Sequence, residues 1–278
     1  MSYRRKSMVV IDMDGTLLTD QKTISNYSKG FLHYINQRGI RVVLASGRPY
    51  RAVKPYYDEI GLKDLIVCYN GALIVDPQEN DKILFKKSFP ISLVKDIIAG
   101  IGEENFESIM IEDFDTLYIN KKDSELDKIA FKKGMVIKYG DIFSQLNEEP
   151  LCVTFNLKDF TYYNKLLELG STSKFKDINI RFWHDCLIAE LFFNDVNKYT
   201  SIEKVAKLYD VKNSDIICFG DADNDIEMIH RAGIGVGMCN AASKFVRQSA
   251  NMLSLADNNN DGVVKTLELL LSNYDLKN

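Results

Sequence analysis

Nothing in the sequence approaches the roughly 18 consecutive apolar residues that a membrane-crossing helix needs, so no transmembrane span is expected. Cysteine is scarce. The five present (Cys68, Cys152, Cys186, Cys218 and Cys239) are scattered, odd in number and form no C-x-x-C pair. That excludes a disulfide framework and a cysteine zinc site, and it fits free thiols in a reducing cytoplasm. Basic residues are not in excess: the formal net charge is −4, which gives no basic face for nucleic acid. The short basic stretch before the first apolar run lacks a long apolar segment and a small-residue cleavage site, so no signal peptide is expected. Internal repeats are absent, and the only compositionally biased stretch is the small polar run from Asp257 to Asp261. What remains, 46% apolar and 27% charged residues over 278 positions, is ordinary for one large or two modest globular domains.

The chain is organised around Met8-Val9-Val10-Ile11-Asp12-Met13-Asp14-Gly15-Thr16. The four apolar residues read as a buried strand of a parallel sheet. Such sheets bind ligands beyond the carboxyl ends of their strands. Two carboxylates placed there are costly to bring together unless a cation lies between them, and Mg²⁺ suits hard oxygen ligands. A carboxylate can also attack a phosphoryl group, and a second can pass protons. The plainer reading is an acidic turn, since Asp-Gly is a common turn dipeptide.

The next strands end in the same way. A helix over Asn26–Arg38 leads to a strand at Arg41–Ala45, followed by Ser46-Gly47-Arg48-Pro49. A further strand, Leu65–Tyr69, ends in Asn70-Gly71-Ala72. Strand–helix–strand units of this length imply parallel pairs. Ser46 is suited both to capping the next helix and to donating to a phosphoryl oxygen beside the Gly47 amide. From Lys82 to Asn194 the pattern changes to short strands and helices with antiparallel pairs, which argues for an inserted α+β domain. The α/β pattern then resumes with Asp195-Val196-Asn197-Lys198. A helix is expected over Ser201–Tyr209 and a strand over Asp215–Phe219, ending in Gly220-Asp221-Ala222-Asp223-Asn224-Asp225. Acids favour helix N-termini for dipole reasons alone, which accounts for Asp225 better than for Asp221. A strand at Ile234–Met238 runs into Cys239-Asn240-Ala241, and a last helix covers Val263–Leu271.

Together, in this order, these motifs resemble the haloacid dehalogenase-like superfamily, and Ala45-Ser46-Gly47-Arg48-Pro49, Asn70-Gly71-Ala72 and Met238-Cys239-Asn240-Ala241 resemble its Cof-type phosphatases. The resemblance implies a doubly wound parallel-sheet core over residues 1–84 and 190–278, with an α+β cap over 85–189 that closes over the core. It implies Asp12 as nucleophile, Asp14 as general acid and base, and Ser46 and Lys198 as catalytic partners. Mg²⁺ would be held by Asp12, Asp14 (through its carbonyl), Asp221 and Asp225. Ser46, Gly47, Arg48, Asn70, Gly71, Lys198, Asn224 and Asn240 would face phosphate or substrate. Tyr199 and Cys239 stand where the family usually has glycine.

The function implied is a cytoplasmic, Mg²⁺-dependent phosphatase of small phosphorylated metabolites, monomeric or weakly dimeric, with no nucleic-acid or membrane partner. A phosphomutase of the same superfamily and a receiver-like protein phosphorylated on Asp12 are the alternatives. Trp183, His184 and Asp185, at an expected cap hairpin, are candidates for substrate contact, with packing as the plainer role. His33 and His230 read as structural.

Overall fold

The computed structural model describes residues 7–183 and 187–275. His184, Asp185 and Cys186 lie outside the described residues, so the expectations placed on them stay at the level of sequence.

Two compact units are formed, one by residues 1–85 with 197–278, the other by 86–196. In chain order the first unit begins with β1 (Met8–Ile11), α1 (Asn26–Gln37), β2 (Arg41–Ala45), α2 (Tyr50–Ile60), β3 (Ile66–Cys68), β4 (Leu73–Asp76) and β5 (Lys82–Lys86). The insert follows with α3 (Ile91–Ile101), β6 (Phe106–Glu112), β7 (Thr116–Ile119), α4 (Ser124–Ile129), β8 (Val136–Tyr139), α5 (Ile142–Gln145), β9 (Cys152–Leu157), α6 (Phe160–Gly170), β10 (Ile178–Phe182) and β11 (Ile188–Phe193). The first unit is completed by α7 (Lys198–Tyr209), β12 (Ile216–Gly220), α8 (Ile226–Arg231), β13 (Ile234–Gly237), α9 (Lys244–Ser249), β14 (Met252–Leu253) and α10 (Gly262–Asp275).

The core sheet has the order β14-β13-β12-β1-β2-β3-β4-β5. β1 pairs in parallel with β2 on one side and β12 on the other. The chain therefore winds away from β1 in both directions, and the crevice past Ile11 is the switch point where an open α/β sheet binds ligands. β1 is central because all of its residues are apolar and both faces are covered: each of the four is at most 1% exposed. On one face Met8, Val10, Val43 and Cys218 pack with Ile202, Val205 and Met228 of α7 and α8. At the other end of the sheet, β4 turns back antiparallel to β3. Sequence reading missed this strand, because Asn70-Gly71-Ala72 reads as a strand end and not as the hairpin it also makes.

The insert has its own sheet, β10-β11-β9-β6-β7-β8, antiparallel except for β7 with β8. Its own apolar cluster holds Met110, Leu117, Ile119, Leu126 and Ile188. The two ends of the insert are fastened to each other. The rings of Phe89 and Phe193 stack at 4.2 Å, and Lys87 pairs with Asp195. The expected boundary at 189/190 falls inside β11. Residues 188–193 stay with the insert because β11 pairs with both β9 and β10. Likewise α7 begins at Lys198 and not at Ser201, because Asn197 caps it reciprocally with Thr200.

Candidate active site

The site is built on the ends of β1 and β12 and the start of α7. Asp12 directly follows β1, and its N–H donates to Phe219 O at 3.0 Å, which holds it in line with the sheet. Lys198 is the first residue of α7, fixed by the cap on Asn197, and its side chain is fully buried. Its ammonium donates to the carboxylate of Asp12 and, at 2.6 Å, to that of Asp225. The second oxygen of Asp225 accepts the N–H groups of Asp221 and Ala222, each at 3.1 Å, so Asp225 shapes the turn that presents Asp221. Asp221 in turn accepts the Thr16 hydroxyl at 2.8 Å.

Two glycines let these loops approach. Gly15 sits at φ +74°, and a Cβ there would stand 2.3 Å from Asp221 Oδ2. A Cβ on Gly220 would stand 2.4 Å from that of Asp225. In both cases only hydrogen fits.

Oxygens of Asp12, Asp221 and Asp225 lie within 4.8 Å of one another. Three carboxylates face one ammonium, so negative charge is in excess. Burial, and next the charge of Asp225, push the Asp12 carboxyl well above its usual range against the pull of Lys198. Burial also lifts Asp221 to about 6, with the Thr16 hydrogen bond opposing and Asp225 adding to the rise. Lys198 stays protonated because Asp12 and Asp225 outweigh the effect of burial. A cluster of hard oxygens short of positive charge fits a divalent cation such as Mg²⁺.

Asp14 is engaged elsewhere. Its carboxylate accepts Arg48 Nε and Nη2 at 2.5 and 2.6 Å and Lys22 Nζ at 2.7 Å. Burial raises its pKa, but the hydrogen bonds from Arg48 and Lys22 more than offset this and leave it lowered. Ser46, 2% exposed, accepts the Arg48 N–H on its hydroxyl, which leaves the hydroxyl hydrogen for another acceptor. Asn70, at φ +52°, accepts the Asn224 amide at 2.8 Å and lies against Gly47. Gly71 packs on the start of α7, where a Cβ would meet Asn197 O at 2.3 Å. Asn240 is turned to the loop after β1, donating to Gly15 O at 2.8 Å.

The structure thus joins Asp12, Lys198, Asp221 and Asp225 in one cluster, and Asp14 with Arg48 in a second. Sequence reasoning missed Thr16 and Lys22. Thr16 stands inside the motif that begins at Asp12; Lys22 carries no motif signal. His33 Nδ1–H donates to Ile60 O at 3.0 Å, a structural contact.

The haloacid dehalogenase-like hydrolase family matches residues 9–267. This chain belongs to that family. Within it the chain falls among the Cof-type phosphatases. It is 30% identical, over 94% of its length and 96% of the relative's, to 5-amino-6-(5-phospho-D-ribitylamino)uracil phosphatase YitU of Bacillus subtilis (strain 168). It is 28% identical, over 95% and 96%, to the phosphatase YbjI of Escherichia coli (strain K12), named for the same compound. Among solved structures, a haloacid dehalogenase-like hydrolase from Bacteroides thetaiotaomicron superposes with a TM-score of 0.84 at 26% identity, covering 96% of this chain and all of that one. The doubly wound core with its inserted α+β domain is the haloacid dehalogenase-like fold. Among the described residues, no helix is long and apolar enough to cross a membrane.

Proposed function

We propose that this protein hydrolyses small phosphomonoesters through a phosphoryl-aspartate on Asp12, with Mg²⁺ as cofactor. The observation that supports this most is the fully buried Lys198 ammonium shared by Asp12 and Asp225, with Asp221 alongside. That arrangement provides a nucleophile together with fixed positive charge, and phosphoryl transfer needs little beyond positioning and charge stabilisation.

In this reading an Asp12 carboxylate oxygen attacks phosphorus, and the bond from phosphorus to the leaving oxygen breaks. Asp14 gives that oxygen its proton. Water then attacks the phosphoryl group, Asp14 takes the water's proton, and the bond to Asp12 breaks to release inorganic phosphate. Asp14 as anion, paired with Arg48 and Lys22, is in the state required of the base. To act as the acid it must be protonated and leave those partners. Ser46 donates to a phosphoryl oxygen, and Lys198 offsets the charge gathering on Asp12 and phosphate. Asp12, Asp221 and the Asp14 carbonyl would hold Mg²⁺, which supplies charge neutralisation at the phosphate. Asp225, committed to Lys198 and two backbone amides, orients Asp221.

The insert, residues 86–196, is assigned the choice of leaving group. Because two relatives are named for it, 5-amino-6-(5-phospho-D-ribitylamino)uracil is the first compound to offer. The test is phosphate release from an aryl phosphate and from this compound, with Mg²⁺ and no sugar bisphosphate, by wild type and Asp12→Asn. Release by wild type alone supports the reading. Equal rates in the two proteins remove the nucleophile.

A further inference from the structure

The polar run from Asp257 to Asp261, which reads in sequence as a biased loop, makes a specific structure in the first unit. Asn258 is 6% exposed. Its side-chain nitrogen donates to Leu18 O at 2.9 Å and to Asp20 Oδ1 at 3.0 Å. Its backbone N–H donates to Asn240 Oδ1 at 3.3 Å, and the Asn240 amide donates to Gly15 O at 2.8 Å. Asn259 adds two bonds to Asp20, accepting its N–H and donating to its carboxylate, both at 3.0 Å. Amide side chains some 240 residues away therefore grip Gly15, Leu18 and Asp20.

The gripping side is itself tied down by hydrogen bonds. Gly262 N–H donates to Asp257 O at 3.0 Å, and a Cβ on Gly262 would stand 1.9 Å from Ala256 O, so the turn is closed tightly on itself. Asp261 accepts the Ser28 hydroxyl at 2.7 Å, which ties the run to α1. The gripped side carries the chemistry. The same short loop presents Asp14 to Arg48 and the Thr16 hydroxyl to Asp221.

We propose that Asn258 is a positioning residue: with Asn240 it straps the loop from Asp14 to Asp20 so that Asp14 and Thr16 stand where phosphoryl transfer needs them. The role rests on the phosphatase reading above. Asparagine is required at 258 because one nitrogen must supply two hydrogens to two acceptors. Aspartate has the same shape, donates nothing to Leu18 O and repels Asp20.

The experiment uses the full chain with Mg²⁺ and an aryl phosphate, and compares Asn258→Ala, Asn258→Asp and the control Asn260→Ala. Among the described residues, the Asn260 side chain bonds only Asp257 of its own turn. Both Asn258 variants should lose about 10- to 100-fold in kcat, the scale of an ångström-sized misplacement, with KM within about twofold of wild type. Hydrogen exchange should quicken at residues 15–22 and stay slow in β1 and β12. Asn260→Ala should match wild type in both measurements. Should Asn258→Ala not fold, Asn240→Ala, at the exposed end of the strap, carries the same expectation. A kcat within about twofold of wild type in both Asn258 variants overturns the proposal. So does a fall in kcat with the loop amides as protected as before. If wild type itself releases no phosphate, the phosphatase reading fails and the positioning role with it; faster exchange in the variants would mark that case as distinct from an absent strap.

Discussion

Lys198 reaches Asp12 across 186 positions of sequence, and the ion pair they form is fully buried on the lysine side. Asp225 completes it at 2.6 Å with no exposed surface of its own. A buried charge left without its partner is far more costly than a pair removed whole. Lys198→Met is therefore expected to lose about 3 kcal/mol of stability and, on the proposed mechanism in which the ammonium also stabilises the transferring phosphoryl group, activity by about a thousandfold. Asp12→Asn added to Lys198→Met should recover part of the stability and none of the activity. Denaturant midpoints and phosphate release measure the two effects. A double variant no more stable than Lys198→Met would show that the carboxylate is not what suffers.

Gly15 and Gly30 offer a matched pair of substitutions. Alanine at Gly15 adopts φ +74°, at a cost of about 1–2 kcal/mol, and places its Cβ against Asp221. Asp221 and the Thr16 bond must shift, so a loss of about 10- to 100-fold in kcat is expected. Alanine at Gly30, inside α1, meets nothing within 4 Å and should stabilise by up to about 1 kcal/mol with activity unchanged. Equal activity in the two variants would mean that the close approach of Gly15 to Asp221 is not used.

The division between what sequence could and could not reveal is clear at Asp221 and Asn258. The apolar strand before Asp221 announces a buried parallel strand, and ligands gather at such ends, so local pattern and topology point the same way. Asp12, Ser46 and Asn70 were legible for the same reason. Asn258 follows no buried strand and lies in a loop of common turn residues. Its importance comes from acceptors near position 18, and contacts of that sequence separation leave no periodic trace. Lys22 was hidden similarly, in a polar loop that pattern alone leaves undifferentiated. The pattern change from Lys82 to Asn194 already places residues 188–193 in the insert, and the pairing of β11 with β9 and β10 bears that out against a boundary at 189/190.

Mg²⁺ should stabilise the folded protein. The excess of carboxylate over ammonium at Asp12, Asp221 and Asp225 is relieved when a cation binds, and a ligand at about a hundred times its Kd adds about 2.7 kcal/mol. The melting temperature should rise with Mg²⁺ and fall back on chelation. Asp221→Asn should abolish the rise. An equal rise in that variant would place the cation somewhere else.

Asp123 of the insert gives a pH dependence that is independent of the catalytic cluster. It caps α4 through the Glu125 N–H at 2.8 Å and accepts the Ser108 hydroxyl and, at 2.7 Å, the Asn156 amide. Burial raises its pKa, but the Ser108 and Asn156 hydrogen bonds outweigh it and leave the carboxyl below its ordinary 3.8. A carboxyl that is more acidic folded than unfolded adds stability above its unfolded pKa, and that stability is lost as pH falls through the folded value. Asp123→Asn keeps a good capping side chain but turns a charged acceptor into a neutral one, at a cost of about 1 kcal/mol at pH 7. Melting curves should separate wild type from Asp123→Asn at pH 7 and draw together as pH falls below 3.8 and through the lower folded value, past which the wild-type carboxyl is neutral as well. A gap that stays constant down to acid pH would assign the stabilisation to shape and not to charge.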